Sequence, residues 1–526
     1  MKTRQWLNTI RALVLCMTLG LAACGGSSGG GTTPPPASGG NPPPPATDTD
    51  GDGTPDSTDT DDDNDGVLDT ADAQPLNPAR TKAIEPLFFD ANGDLSLPAT
   101  SGAMQLEWIL SELADTDTTA QEIQDHFSPA ALAAVSVSDW RAFFDSLRAV
   151  IPGGTVQDIV SMTPSFVRVL VGDANTPASG QFIVIRTDLG SGLIDSFGSN
   201  PFNLNGGSTR TVDQNLTYAT AADKLETLST NSAVLVARIE DNQCNAVFDR
   251  NADRAFSIAS IFKVFTMGAV AEALNAGTIA RDQLIEVVAD NLVLGGSFND
   301  AVGLNVSVED LAALMLGISD NTATEHLFKL VGRAANESIL DTFNHANQDA
   351  MEPFLSMNEA FHLYFTVSPA DATAYISLDE TSQRDYVDNT LTPLGAVTQF
   401  LQANANVLVE SFWQASPVDV CNAMAGLRQF NDLTPGFEVT DLAYGAETAV
   451  VNLRDQWERV WFKGGSLSDG SGLLVLTYGW MLETDNRGTF AVIVMTNNDP
   501  NGTARIDQGA VASVASRIID IVNAEN

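Results

Sequence analysis

Ser260 and Lys263 stand three residues apart in the run Phe256-Ser257-Ile258-Ala259-Ser260-Ile261-Phe262-Lys263, which reads as the opening of a helix that stops at Gly277. Residues at that spacing share a helix face, so the amine can reach the hydroxyl. A serine hydroxyl is a weak nucleophile until a base takes its proton, and a lysine stripped of water can lose its charge and serve as that base. Ile261, Phe262, Val264 and Phe265 supply the apolar surroundings. Alone, such a pair usually marks only a helix start with an exposed lysine. Two further clusters accompany it. Ser319-Asp320-Asn321 follows a helix read over 308–317 and capped by Ser307, and Lys463-Gly464-Gly465-Ser466 reads as the end of a strand. Beyond residue 200 the only lysines are Lys224, Lys263, Lys329 and Lys463, and two of them fall in these clusters. The chemistry such a set could do is nucleophilic attack by a serine whose proton a lysine takes.

A second constellation is acidic. Asp48, Asp50, Asp52, Gly53, Asp56 and Asp59 recur 13 residues later as Asp61, Asp63, Asp65, Gly66, Asp69 and Asp72. Carboxylates at alternating positions, with a glycine for the sharp turn, are what a hard cation such as Ca²⁺ requires. No amphipathic helix flanks either copy, so the pattern is not a paired EF-hand. The bland alternative is a solvated acidic linker.

The elements that must position these residues follow from the chain's organisation. Lys2, Arg4 and Arg11 precede a short apolar run that ends in Leu21-Ala22-Ala23-Cys24. The run is too short to span a bilayer and reads as a signal peptide over 1–23. Residues 24–47 form a Gly/Ser/Pro-rich tether, and 48–80 carry the acidic repeats. Residues 84–200 read as a small α+β domain: helices over 104–113 and 120–126, a third from an N-cap at Ser138 to Val150, then strands over 166–171, 180–186 and 192–197. It holds the single histidine His126 and no chemical constellation, which favours a packing or substrate-gating module. A linker over 201–215 leads to the last domain, 216–526, where strands near both chain ends flank a long helical middle. That arrangement predicts an α/β domain in which the ends share one sheet. A net charge of −41 excludes nucleic acid as a partner and suits an extracytoplasmic body. Cys244 and Cys421 are the only cysteines of the folded part; they could form a disulfide or remain buried thiols. His326, His345 and His362 lie on apolar helical stretches without metal-ligand spacing.

The three clusters, in order, resemble the Ser-x-x-Lys, Ser-Asp-Asn and Lys-Thr-Gly set of class A β-lactamases and penicillin-binding proteins, with Gly464 in place of the usual threonine. The run Ser319 to Thr324 and Pro353-Phe354-Leu355-Ser356 resemble, more narrowly, the branch with an isomerase-like N-terminal domain, found in clavulanic-acid gene clusters and mycobacterial lipoproteins. The resemblance implies a sheet flanked by helices plus an all-helical lobe, preceded by a small α+β isomerase-like domain. It implies that Ser260 attacks a carbonyl with Lys263 as base, and that Ser319 relays a proton while Lys463 holds it and a substrate carboxylate. Asn321 would position substrate, the amides of Ser260 and Ser466 would form the oxyanion hole, and Gly464 and Gly465 would let substrate approach. Class A enzymes deacylate through a glutamate, and Glu352 is the residue here that fits, although its Glu-Pro-x-Leu pattern carries two extra residues. No cofactor is implied for catalysis. The 144-residue interval from Ser319 to Lys463 implies an insertion, placed within 380–430. The Cys24 segment is similar to bacterial lipoprotein signals, which implies a lipid-anchored protein of a Gram-negative outer membrane. The aspartate repeats resemble thrombospondin type 3 repeats.

Three functions compete. The first is a serine hydrolase that cleaves β-lactams or related esters and amides. The second is a penicillin-binding-type acyl-enzyme that turns over slowly. The third is a calcium-stiffened surface or adhesion protein with a vestigial hydrolase domain, which the three intact clusters disfavour.

Overall fold

The computed structural model describes residues 47–90, 93–172, 179–203, 209–298, 301–410 and 412–525. The expected signal peptide over 1–23, Cys24 and the expected tether as far as residue 46 lie outside the described residues. Four helices open the N-terminal domain: α1 (Ser101–Ala114), α2 (Ala120–His126), α3 (Pro129–Ala134) and α4 (Val137–Val150). Each begins where a Ser or Thr side chain accepts an amide of the first turn, which satisfies a donor the helix itself cannot. The cap of α4 is Ser136 rather than Ser138: its hydroxyl accepts the Asp139 amide at 3.2 Å, which leaves Ser138 inside the helix.

An antiparallel meander follows, β1 (Thr155–Met162), β2 (Phe166–Gly172), β3 (Ser179–Thr187) and β4 (Ile194–Asn203), in sequential order. The sequence reading missed β1 because Gln157 and Asp158 interrupt its apolar run. Asp158 tolerates burial because it accepts the Asn452 amide at 2.7 Å. The sheet also runs past the expected boundary at residue 200. One face packs on the helices through Ile159, Val167, Ile183 and Phe144. From the other face Val160, Leu170 and Phe182 meet Val451 of the last domain. His126 stacks on Trp108 and pairs with Gln105, a packing role.

In the last domain α5 (Tyr218–Leu228) precedes β5 (Asn231–Glu240) and β6 (Gln243–Arg250). The chain returns through β7 (Arg459–Ser468), β8 (Leu473–Thr484) and β9 (Gly488–Asn497), and closes with a helix over Gln508–Glu525. The strand order β7-β8-β9-β5-β6 joins both chain ends in one sheet. Val236, Trp480 and Val492 on one face pack against α5 and the final helix. The opposite face carries the helical lobe, whose centre is α6 (Lys263–Asn275), apolar nearly all round and buried as such a helix must be. The interval from Ser319 to Lys463 is filled largely by helices, including Glu380–Tyr386, Ala405–Glu410 and Pro417–Arg428 within the segment expected to be inserted. A disulfide joins Cys244 on β6 to Cys421 on the last of these.

The acidic repeats form two loops in which Gly53 and Gly66 take positive φ, 100° and 96°, as their turn position demands. The end of this segment is docked rather than free. Thr81 and Lys82 donate their amides to Asp432, and Arg80 pairs with Glu483 of β8 at 2.9 Å.

Candidate active site

Ser260 lies not within α6 but on the 3₁₀ turn Ala259–Phe262 that feeds it, and Lys263 is the first α-helical residue. Ala259 (φ 47°) and Ser319 (φ 59°) both hold left-handed backbone without being glycine, so strained residues fall at or beside both candidate serines. Lys263 is fully buried. Its amine donates to Ser319 O at 2.7 Å, Ser319 Oγ at 3.1 Å and Asn321 Oδ1 at 2.8 Å. Among the described residues it makes no hydrogen bond to Ser260 Oγ; the amine is turned toward Ser319 instead. Burial pushes the Lys263 amine well below its ordinary value, Lys463 adds to this, and Asp320 opposes it.

Ser319 and Asn321 are presented at the end of the helix α7 (Val308–Gly317) and the start of α8 (Asn321–Val331). Asp320 is structural: its oxygens accept the Ala323 amide, capping α8, and the Ser297 amide at 2.6 Å. Lys463 lies in the middle of β7, not at a strand end, paired across to Gly479. Its amine donates to Ser319 Oγ at 2.9 Å and to Gly464 O at 2.7 Å. Burial lowers its pKa to about 7, with Glu447 pulling upward. The result is a chain Lys463–Ser319–Lys263 along which one proton can travel.

A cavity of about 250 Å³ opens here, lined by Ser260, Ser319, Lys463, Gly465 and Ser466. The two glycines also have packing tasks. A Cβ on Gly465 would sit 2.4 Å from Ile258 O and 2.8 Å from Ser260 N, so this glycine lets β7 press against the backbone of Ser260. Gly464 faces the rings of Phe462 and Tyr478. Both glycines also line the cavity.

Glu352 does not join this group. It pairs with Arg384 at 3.6 Å and does not line the cavity. The neighbouring Phe354, fully buried, packs against Phe262 of the nucleophile turn, so this segment reaches the site with an aromatic ring rather than a carboxylate. Glu359 is bound by Arg333 at 2.9 Å. The carboxylate that does line the cavity is Glu447, with Arg168 of β2 beside it. Sequence reasoning missed both, and no local motif marks either one.

In the acidic loops, oxygens of Asp48, Asp50 and Asp52 lie within 4.8 Å of one another, as do those of Asp61, Asp63 and Asp65. Buried oxygens of Asp61, Asp63, Asp65 and Asp72 have no hydrogen-bond partner, a donor set that fits a hard cation. Asp56 and Asp69 instead brace the loops by accepting the amides of Thr49 and Asp62, and Asp59 accepts those of Thr60 and Asp61. His326 and His362 use both ring nitrogens within the fold.

A model of the beta-lactamase enzyme family matches residues 220–393, and one of the ORF 12 gene product N-terminal region matches residues 97–177. Similar solved structures include a β-lactamase from Sphaerobacter thermophilus (21% identity, 59% of this chain and 96% of that one, TM-score 0.39). A β-lactamase from Chitinophaga pinensis gives 15% identity over 58% of this chain and 99% of that one, TM-score 0.38. An ancestral class A β-lactamase gives 18% over 58% and 99%, TM-score 0.37. No curated protein matches. The last domain thus has an α/β fold, and its residues 220–393 are similar to the beta-lactamase enzyme family, which supports a hydrolase.

Proposed function

We propose that the protein is an extracytoplasmic serine hydrolase that forms an acyl-enzyme on Ser260 and cleaves β-lactams or related esters and amides. The observation that carries this reading is the chain Lys463–Ser319–Lys263, buried beside Ser260 in one cavity. In the forward step the Ser260 hydroxyl gives its proton to the neutral Lys263 amine while Oγ bonds to the acyl carbon. The amides of Ser260 and Ser466 hold the oxyanion. The proton then passes through Ser319 to the leaving nitrogen or oxygen as its bond to the acyl carbon breaks, and water later hydrolyses the ester. Intact mass and peptide mapping after incubation with a chromogenic cephalosporin and an activated phenyl ester test the reading. The expected adduct lies on Ser260; an adduct elsewhere, or neither adduct nor turnover, would sink it.

The slow-turnover alternative draws support from Glu352, whose carboxylate is engaged by Arg384 away from the cavity. An adduct that persists for hours favours that reading over efficient hydrolysis.

The acidic loops are read as Ca²⁺ sites of thrombospondin type 3 kind, with Asp48, Asp50 and Asp52 in one and Asp61, Asp63, Asp65 and Asp72 in the other. Calorimetry on the full chain should give saturable Ca²⁺ heat that Asp61→Asn together with Asp63→Asn reduces; no heat in the parent protein would refute the sites. Cys24 is read as the lipidated residue of an outer-membrane lipoprotein. Metabolic labelling with a fatty acid should be lost in Cys24→Ser, and labelling that survives the change would refute it.

A further inference from the structure

The N-terminal domain does more than pack. Its edge strand β1 pairs with the segment 446–448 through a single antiparallel bridge: Met162 donates its amide to Ala446 O at 2.8 Å, and Thr448 donates to Val160 O at 2.9 Å. Ser161 and Glu447 face each other across this bridge. The segment leaves no slack elsewhere either, since Asn452 is held by Asp158, and Arg454 donates to Ile159 O at 3.2 Å. Glu447 therefore owes its position to a strand nearly 300 residues away in sequence.

Glu447 is 2% exposed, yet it lines the cavity that holds Ser260, Ser319 and Lys463. One carboxylate oxygen accepts the Ala449 amide at 2.7 Å and lies 3.9 Å from Arg168 Nη2. The other is buried on the side of Ser161, whose hydroxyl favours the charged form, while burial raises the carboxyl. A carboxylate so placed is costly unless charge compensates it. The compensating groups come from three elements: Arg168 from β2, Arg454 from the loop before β7, and Lys463 from β7 itself. The charged groups around Lys463 are Glu447 on one side and Lys263 on the other. Glu447 is thus the one anion that favours a charged Lys463, while burial works against that charge.

We propose that the N-terminal domain completes the hydrolase site, with β1 and Arg168 holding Glu447 as a positioning residue that keeps the Lys463 amine charged on Ser319. The inference rests on the proposed roles of Lys463 and Ser319, but it can be tested without turnover. In the full chain labelled with ¹³C-lysine, the Lys463 resonance, assigned through Lys463→Arg, gives its titration midpoint directly. Glu447→Gln should lower that midpoint by about one pH unit, because a neighbouring opposite charge favours the charged form. Glu447→Asp, which keeps the charge, should hold the midpoint within about half a unit. Arg168→Met should lower it too, since an unpaired buried Glu447 takes up a proton. Where adduct formation is measurable, its alkaline limb should move down with the midpoint, an approximately tenfold loss above that limb. An unmoved midpoint in Glu447→Gln overturns the proposal whether or not Ser260 is acylated. A shift in Glu447→Gln with none in Arg168→Met overturns the contribution of the N-terminal domain. If Glu447→Gln does not fold, Arg168→Met gives the same readout. Absence of a Ser260 adduct beside a normal shift counts against the hydrolase reading and leaves this one standing.

Discussion

Replacing Lys263 by methionine is expected to slow formation of the Ser260 adduct roughly 1,000-fold, and Ser260→Ala to remove the adduct altogether. Methionine fills much the same volume in a fully buried position, so loss of rate can be separated from loss of fold by circular dichroism. The argument is electrostatic. A lysine in water holds its proton tightly, but burial and the nearby Lys463 push the Lys263 amine well below its ordinary value. It therefore releases its proton more readily than an exposed lysine and is suited to act as a base. Its three present contacts, all donated, run to Ser319 and Asn321, so abstraction of the Ser260 proton requires the amine to give up one of these protons and turn the freed lone pair toward Oγ as substrate enters. The sign in pH follows. As pH falls the amine gains a proton and the rate is lost, which places an acid limb on the acylation profile that Lys263→Met lacks. Lys263→Arg keeps a cation but cannot give up its proton, and should be about as slow as methionine. Near-normal acylation in either variant, measured by stopped-flow and intact mass, would assign the base elsewhere.

What could be read from the sequence was local. Ser260 and Lys263 announce themselves by a three-residue spacing, Ser319 by the helix cap and motif around it, and the acidic loops by a 13-residue repeat. The helix over 120–126 was legible because Thr119 bonds its own first turn, whereas the short helix after Ser128 was not read. What could not be read depends on partners far along the chain. Strand β1 looks too polar to be buried until Asn452 is seen to satisfy Asp158. Glu352 has the right neighbours in sequence, and only Arg384 shows that its carboxylate is engaged elsewhere. Glu447 carries no motif at all. Its role arises where two domains meet, and spacing along one of them holds no trace of it. Gly465 was legible as a glycine, but which backbone pressed against it was not.

The same distinction governs stability. Glu483→Gln is expected to destabilise the last domain by about 4 kcal/mol, because it leaves buried arginines without their counter-ion. Glu483, on β8, is completely buried. Its oxygens accept from Arg428 Nε at 3.0 and 3.1 Å and from Thr489 Oγ1 at 2.8 Å, while Arg80 lies 2.9 Å away and Arg459 completes the group. Arg459 has Asp441 as a second partner at 2.8 Å and Arg80 has the half-exposed Asp485 at 3.1 Å, but Arg428 leans mainly on Glu483. Thermal unfolding should show a fall on the order of 10 °C. The pH dependence gives the sharper test. Burial alone would raise the Glu483 carboxyl, yet the surrounding guanidiniums outweigh it and hold the group at about 2 against an ordinary 4.5. A carboxyl depressed in the folded state contributes stability that is fully present above its unfolded value and is lost as pH falls through its folded one. The gap between the parent protein and Glu483→Gln should therefore be constant above about pH 5 and close between about 4.5 and 2. A gap that stays flat across that window would show that packing, and not the charge of Glu483, holds Arg80 and the end of the acidic segment to the hydrolase domain.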